Sequence, residues 1–342
     1  MKSKNRIIYI GNRLQGQGLN PTTVDTLGDK LEIDIDLIRA SHYKNPLVRL
    51  LHMWFVVFVN FKKADYLLID TYSTSAFNYA WTSGKLAHFL GLKYIPFLHG
   101  GDLPKRYKSY FNRCNKFFLN ASKIVSPSDF LKHETEKQFD VNVTVIPNYL
   151  EIEFYAFNAR KVSSKVNLLW VRAFDKIYNP TMAVNTVSAL LQRGVLAKLT
   201  MIGPDKDGSM ETTKEYIRKL GLENNVTITG RMAKNDWIKK SSAFHFFINT
   251  TNADNTPVSV MEAMALGFPV ITTNVGGIPF LFEDKKEGVL VPPNNAESMA
   301  NAIIDLLSNP QKLEDLSLNA RKKAENWDWI IVRSKWLNIL AK

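Results

Sequence analysis

The run from Asp254 to Gly277 reads Asp-Asn-Thr-Pro-Val-Ser-Val-Met-Glu-Ala-Met-Ala-Leu-Gly-Phe-Pro-Val-Ile-Thr-Thr-Asn-Val-Gly-Gly, with carboxylates eight residues apart at Asp254 and Glu262. Thr256 reads as an N-cap and Pro257 as the first helical residue, with Gly267 as the stop. About ten residues, ~15 Å, of helix therefore begin beside Asp254. Free amides at a helix start favour an anion, which makes the segment Asn255, Thr256, Pro257 and Val258 a candidate donor-binding site. Glu262, inside the helix on the face of Val258 and Ala265, can reach a ribose hydroxyl pair, and Asp254 in the preceding loop can reach a hexose. Gly276 and Gly277 allow the backbone to approach a ligand closely. The set suits a sugar nucleotide.

These residues resemble the donor-binding signature of glycosyltransferase family 4, the retaining GT-B enzymes, of the bacterial cell-surface polysaccharide type. That pattern has two glutamates separated by seven residues, then Ala-Met-Ala-x-Gly-x-Pro-Val. Glu262 stands at the second glutamate, and Asp254, one methylene shorter, at the first. Ile278-Pro279-Phe280 follows the glycine pair where the family often has a glutamate. The resemblance implies an α/β fold of two facing Rossmann-like domains, with a C-terminal helix that crosses back to the first. It also implies transfer of a sugar from a UDP- or GDP-sugar to a glycan or lipid-linked acceptor, with no metal or other cofactor. The front-face mechanism proposed for the family needs no side-chain nucleophile: the leaving phosphate helps deprotonate the incoming hydroxyl.

Such a transfer puts negative charge on the leaving diphosphate and makes the sugar oxocarbenium-like, so fixed positive charge is required. Arg172 and Lys176 follow the first strand of the second half, at the carboxyl edge where open α/β sheets bind ligands. Both match cations that contact the diphosphate in the resembled family. His99 ends a strand before Gly100-Gly101-Asp102; the family has a His-Gly there that touches the donor sugar, although an isolated histidine is equally a buried structural hydrogen bonder. Gly16 and Gly18 occupy the family's glycine-loop position, with Asn20 and Pro21 capping the next helix. A tight strand-to-helix turn explains those glycines as fully. Asn148 matches a domain-junction asparagine and is otherwise a turn residue.

What must position these residues is a chain of 342 amino acids, long enough for two domains. The expected division is 1–150 for the acceptor, 151–326 for the donor, and 327–342 as the returning helix. Strand-like runs fall near 6–11, 34–39, 66–70, 94–99, 124–126 and 143–146, then near 167–172, 198–202, 226–229, 244–248, 270–272 and 289–291. Helical patterns between them predict parallel sheets of β-α units. Residues 149–165 show no period and read as the linker. The apolar run 47–61 is too short to span a membrane and carries Arg49, His52 and Asn60, so it reads as a helix buried inside the first domain, with a membrane-dipping helix as the alternative.

Net charge is +12; residues 1–150 carry 20 basic against 12 acidic side chains, and residues 151–342 carry 24 against 20. Between 105 and 123 six cations alternate with aromatics and no acid intervenes, so this stretch either docks on an anionic membrane or is a solvated face over an aromatic stripe. The dispersed charge and the lack of a nucleic-acid motif argue against a nucleic-acid partner. A single cysteine, Cys114, excludes an internal disulfide and suits a reducing compartment. With no signal-like core after Lys2, Lys4 and Arg6, the expected location is cytoplasmic, at most peripheral on the inner face of the plasma membrane. Asp34-Ile-Asp36 mimics a metal motif but reads as one exposed face of a strand. An epimerase or hydrolase of sugar nucleotides on the same architecture is the rival enzyme.

Overall fold

In the computed structural model, which describes residues 4–13, 21–160 and 165–341, the predicted alternation of strands and helices forms two separate six-stranded sheets. The first contains β1 (Arg6–Ile10), β2 (Asp36–Ala40), β3 (Tyr66–Tyr72), β4 (Tyr94–His99), β5 (Ile124–Ser126) and β6 (Val143–Val145). Its order is β2-β1-β3-β4-β5-β6, every pairing parallel. The second contains β7 (Lys165–Val171), β8 (Leu196–Ile202), β9 (Val226–Gly230), β10 (Phe246–Asn249), β11 (Val270–Thr273) and β12 (Val289–Val291). It runs β12-β11-β10-β7-β8-β9, again all parallel.

Near-continuous apolar strands make sense because both faces of each sheet are covered by helices. In the second sheet, Leu168, Trp170 and Phe246 face one buried cluster while Leu169 and Phe247 face another, as the two-residue period of a strand requires. Contacts divide the chain into Met1–Pro147 with Ile330–Lys342, and Asn148–Trp329. Helix Trp329–Leu340 thus lies mostly with the first unit, where buried Trp336 meets the Phe97 ring edge-on at 5.0 Å and Arg333 pairs with Asp34.

Several expectations change. Residues 149–160 are no loose tether: Ile152 and Tyr155 are buried in the second unit, and buried Arg160 donates to the carbonyls of Ser241, Phe244 and Leu266. The apolar helix Pro46–Asn60 is not buried inside its unit. Its inner face holds Arg49, Met53, Val56 and Val57, while Leu47, Leu51, Phe55 and Phe58 face solvent. The basic stretch 105–123 breaks into helices Leu103–Ser109 and Phe111–Leu119, with Tyr107, Phe117 and Phe118 in the core. Asp36 opens β2 and pairs with Arg6 at 2.6 Å, whereas Asp34 precedes the strand. Thr22, rather than Pro21, caps helix Thr23–Leu31, and Asn20 lies outside the described residues.

Candidate active site

An open α/β sheet binds ligands beyond the carboxyl ends of its strands, where the strand order reverses. In the second unit that point lies between β7 and β10, and the two loops that leave it carry Arg172 and Asp254. Their side chains meet: Arg172 Nη2 donates to Asp254 Oδ2. The guanidinium sits 3.9 Å from the ring centroid of Tyr178, and its Nε is buried with no hydrogen-bond partner. Asp254 Oδ1 accepts the Asn255 amide at 2.8 Å.

The Asp254 loop is tied down on two sides. Asn252 N–H donates to the Ile177 carbonyl at 2.7 Å, and Thr250 Oγ1 donates to the Tyr178 carbonyl at 2.8 Å while accepting from Trp170 Nε1 at 3.0 Å. These bonds hold the loop against the 3-10 turn Lys176–Tyr178, so exposed Lys176 belongs to the same edge. On the other side Gly277 N–H donates to the Asp254 carbonyl at 2.9 Å. A Cβ at Gly276 would lie 2.1 Å from that oxygen, and Gly276 has φ 54°. The glycine pair therefore admits the backbone of the Asp254 loop.

The helix that follows is Val258–Ala265, shorter than expected, with Pro257 in place of Thr256 at the N-cap. Proline has no N–H, its φ of −67° is fixed, and here its ψ of 109° keeps it extended. Thr256 Oγ1 and Ser259 Oγ are buried without partners at this helix start, and Asn255 is buried beside them. A buried hydroxyl left unpaired is costly, so polar atoms and helical amides converge where an anion would satisfy them. Glu262, one turn in, is also buried; its Oε1 accepts from Lys234 Nζ at 2.5 Å and from the Tyr155 hydroxyl at 3.0 Å. Burial, then the Glu262 carboxylate, drives the Tyr155 hydroxyl well above its usual pKa, so it stays a donor. Neither Lys234 nor Tyr155 carried a motif in the sequence; only the fold brings them to Glu262.

The first unit has its own switch point, between β1 and β3. There buried Asp70 accepts the Tyr9 hydroxyl at 2.8 Å on Oδ1, and His99 Nε2 stands 2.9 Å from the same oxygen. The other oxygen, Oδ2, is buried and unpartnered, in the space that a Cβ at Gly11 would fill. His99 stacks on Tyr72 with centroids 4.8 Å apart. Asp70 was missed in the sequence because nothing local marks it: its partners come from neighbouring strands. His99 belongs to this cluster, whereas Arg172, Lys176, Asp254, Asn255, Thr256, Pro257, Val258 and Glu262 belong to the second unit. Asn148, half-buried, opens that unit. Gly16 and Gly18 lie outside the described residues. No cluster of three or more metal-ligating side chains occurs among the described residues.

Comparison with known proteins fits this geometry. Residues 151–323 match the family model described as Glycosyl transferases group 1. Spore coat protein SA of Bacillus subtilis is 26% identical over 182 residues, 51% of this chain and 48% of that protein. The amylovoran biosynthesis glycosyltransferase AmsK of Erwinia amylovora is 25% identical over 252 residues, 68% of this chain and 60% of that one. The chain thus spans about half the length of the curated relatives it matches. Among solved structures, sucrose-phosphate synthase from Thermosynechococcus elongatus superposes with a TM-score of 0.77 at 17% identity, covering 98% of both chains. HepE of Anabaena in complex with UDP gives 0.75 at 17% identity, covering 98% of this chain and 99% of that one. At such identity the likeness concerns the fold: GT-B, with two Rossmann-like parallel sheets and a C-terminal helix.

Proposed function

Because the chain belongs to the group 1 glycosyl transferases, we propose that it is a retaining glycosyltransferase of family 4. In this reading it moves a sugar from a UDP- or GDP-sugar to a glycan or lipid-linked acceptor in cell-surface polysaccharide or glycolipid synthesis. The observation that carries the reading is the meeting of Arg172 and Asp254 at the switch point of the second sheet, beside a helix start whose Thr256 hydroxyl is buried and unpaired. AmsK is named for amylovoran biosynthesis, and HepE has been solved with UDP-glucose.

Arg172, Lys176 and the helix start at residues 255–258 hold the diphosphate and meet the charge that grows as it leaves. Asp254 orients the guanidinium and faces the sugar as its anomeric carbon becomes positive. Glu262 binds the ribose hydroxyls, for which Lys234 is the stand-in partner. The donor-contact roles of His99, Asn148, Gly16 and Gly18 rest on the family resemblance alone. The acceptor hydroxyl attacks the anomeric carbon from the face the diphosphate leaves; the bond to the diphosphate breaks, and its oxygen takes the hydroxyl proton. No metal enters this scheme, and the protein works in the cytoplasm, at the inner face of the plasma membrane when the acceptor is a lipid.

The test is product analysis by NMR with UDP- and GDP-sugars, with and without acceptor glycans or lipid-linked saccharides. Transfer that requires acceptor and keeps the anomeric configuration supports the reading. An inverted product would remove the retaining assignment; an epimer or free sugar formed without acceptor would favour the rival enzyme.

A further inference from the structure

Helix Pro46–Asn60 is built to be placed firmly and left half uncovered. Asn45 caps it, its side chain accepting from the Leu47 and Val48 amides at 2.9 and 3.2 Å. Buried Arg49 binds the carbonyls of Tyr43 and Lys44 and the side chain of Asn12, and His52 meets Ser41 Oγ at 2.9 Å. Those contacts fix the inner face. On the outer face Leu47, Val48, Leu51, Phe55, Phe58 and Val59 are exposed, Leu47 by 65%, Phe55 by 62% and Phe58 by 60%. At about 100° per residue these six fall within an arc of about 120° and run ~18 Å along the helix. So large an apolar stripe on a surface marks a place of contact.

Charge decides what contacts it. Exposed Lys44 stands before the helix and exposed Lys62 and Lys63 after it, and no carboxylate occurs between Asp36 and Asp65. A second copy of the chain would set lysines against lysines whether the helices ran parallel or antiparallel, with no acid from this segment to compensate. An anionic bilayer offers hydrocarbon to the stripe and phosphate to both lysine ends. No helix among the described residues is long and apolar enough to cross a membrane, so this one lies in the interface plane, as amphipathic anchors do.

We propose that the outer face of helix Pro46–Asn60, with Lys44, Lys62 and Lys63, seats the first unit on anionic phospholipid. The basic stretch 105–123 is less suited: Arg106 and Arg113 lie 5.2 and 5.7 Å from the ring centroid of Tyr110, and 5.3 and 5.0 Å from those of Phe77 and Trp81 in the neighbouring helix, so its arginines are already engaged with aromatic rings. The inference rests on the proposed lipid-linked acceptor only for its purpose, since vesicle binding needs neither donor nor acceptor.

The experiment is co-sedimentation of the full chain with phosphatidylglycerol-containing and pure phosphatidylcholine vesicles, over a salt series, with sedimentation velocity in the absence of lipid. Wild type should bind anionic vesicles and release them as salt rises. The exposed substitutions Phe55→Glu and Phe58→Glu together should lower partitioning about tenfold or more with unchanged circular dichroism. Lys62→Glu with Lys63→Glu should lower it on anionic vesicles only, about fivefold or more for each lysine lost. Three results would overturn the proposal: no binding to anionic vesicles, full binding by the Phe55→Glu, Phe58→Glu variant, or a lipid-free dimer that those substitutions dissolve. Loss of binding on replacing Lys105 and Lys108 but not on changing the helix would move the seat to residues 105–123. A protein that bound vesicles yet failed to bind any nucleotide sugar would leave this inference standing and remove the proposed function instead.

Discussion

Arg172 is the residue on which the proposed chemistry turns. Its guanidinium is held on one side by Asp254 and over Tyr178, with Nε buried and unbound, an arrangement that fixes a positive charge in place before any ligand arrives. Charge that is fixed in advance acts most on the transition state. Arg172→Ala and Lys176→Ala should therefore each lower kcat by about 10²-fold or more, measured at saturating donor, while melting temperature stays near wild type. Near-wild-type turnover in either variant would strip that residue of its role. Asp254→Asn keeps the shape and most hydrogen bonds but removes the charge, so its loss should fall on kcat far more than on donor KM. A merely structural loop aspartate would lose little on becoming asparagine. Asp254 and Glu262 could be read from spacing, because eight residues of separation and the Ala-Met-Ala-Leu-Gly run are local facts. Asp70, Lys234 and Tyr155 could not, because each gains its partner across sequence distances of tens of residues.

At the scale of elements, all twelve strands stand where short apolar runs predicted them, since a two-sided parallel sheet leaves an unbroken hydrophobic signature. Helix ends were less legible: Pro257, read as the first helical residue, has an extended ψ of 109° and stands at the N-cap, so the helix starts at Val258. Helix Pro46–Asn60 was misread because a helix apolar all round normally lies in a core, and a sequence does not say which side is left uncovered. The helix Trp329–Leu340 makes a sharp prediction. Trp336 is buried against Phe97, and the Asn5 side chain donates to the Leu340 carbonyl at 2.9 Å. Trp336→Ala should cost the first unit about 3–5 kcal/mol in urea unfolding; a change below about 1 kcal/mol would mean that the helix is dispensable there. A pH effect belongs to β7 and β10. His245 Nδ1 accepts the Asn167 amide at 2.9 Å, and burial, then Arg160, lowers the histidine's pKa. The folded state thus binds the proton less readily than the unfolded one, so its stabilising contribution is present above the usual histidine value of about 6.5 and is lost as pH falls below it. Melting temperature should fall with pH in that window, and fall less in His245→Asn, which keeps an acceptor and cannot titrate. Equal falls would assign the acid sensitivity elsewhere.

For the whole molecule, the net charge of +12 invites a polyanion, but a dispersed charge gives weak, salt-sensitive binding. Association with nonspecific duplex DNA should vanish by physiological salt; tight binding that survived it would revive a nucleic-acid partner. The chain divides into two units, each with a parallel sheet and its own switch point, and the proposed function assigns the donor to the edge of the second. In the second unit the Arg172 and Asp254 loops are joined by hydrogen bonds to each other and to the 3-10 turn at Lys176, and the helix from Val258 continues the Asp254 loop. A donor held there must slow the opening of those segments before others. Hydrogen exchange with and without saturating UDP-sugar or GDP-sugar measures this residue by residue. One of the two should slow exchange at residues 172–178 and 254–262, and at 100 times its dissociation constant should stabilise the protein by about 2.7 kcal/mol. Protection confined to other segments, or none with any nucleotide sugar, would contradict the assignment of this site as the donor's.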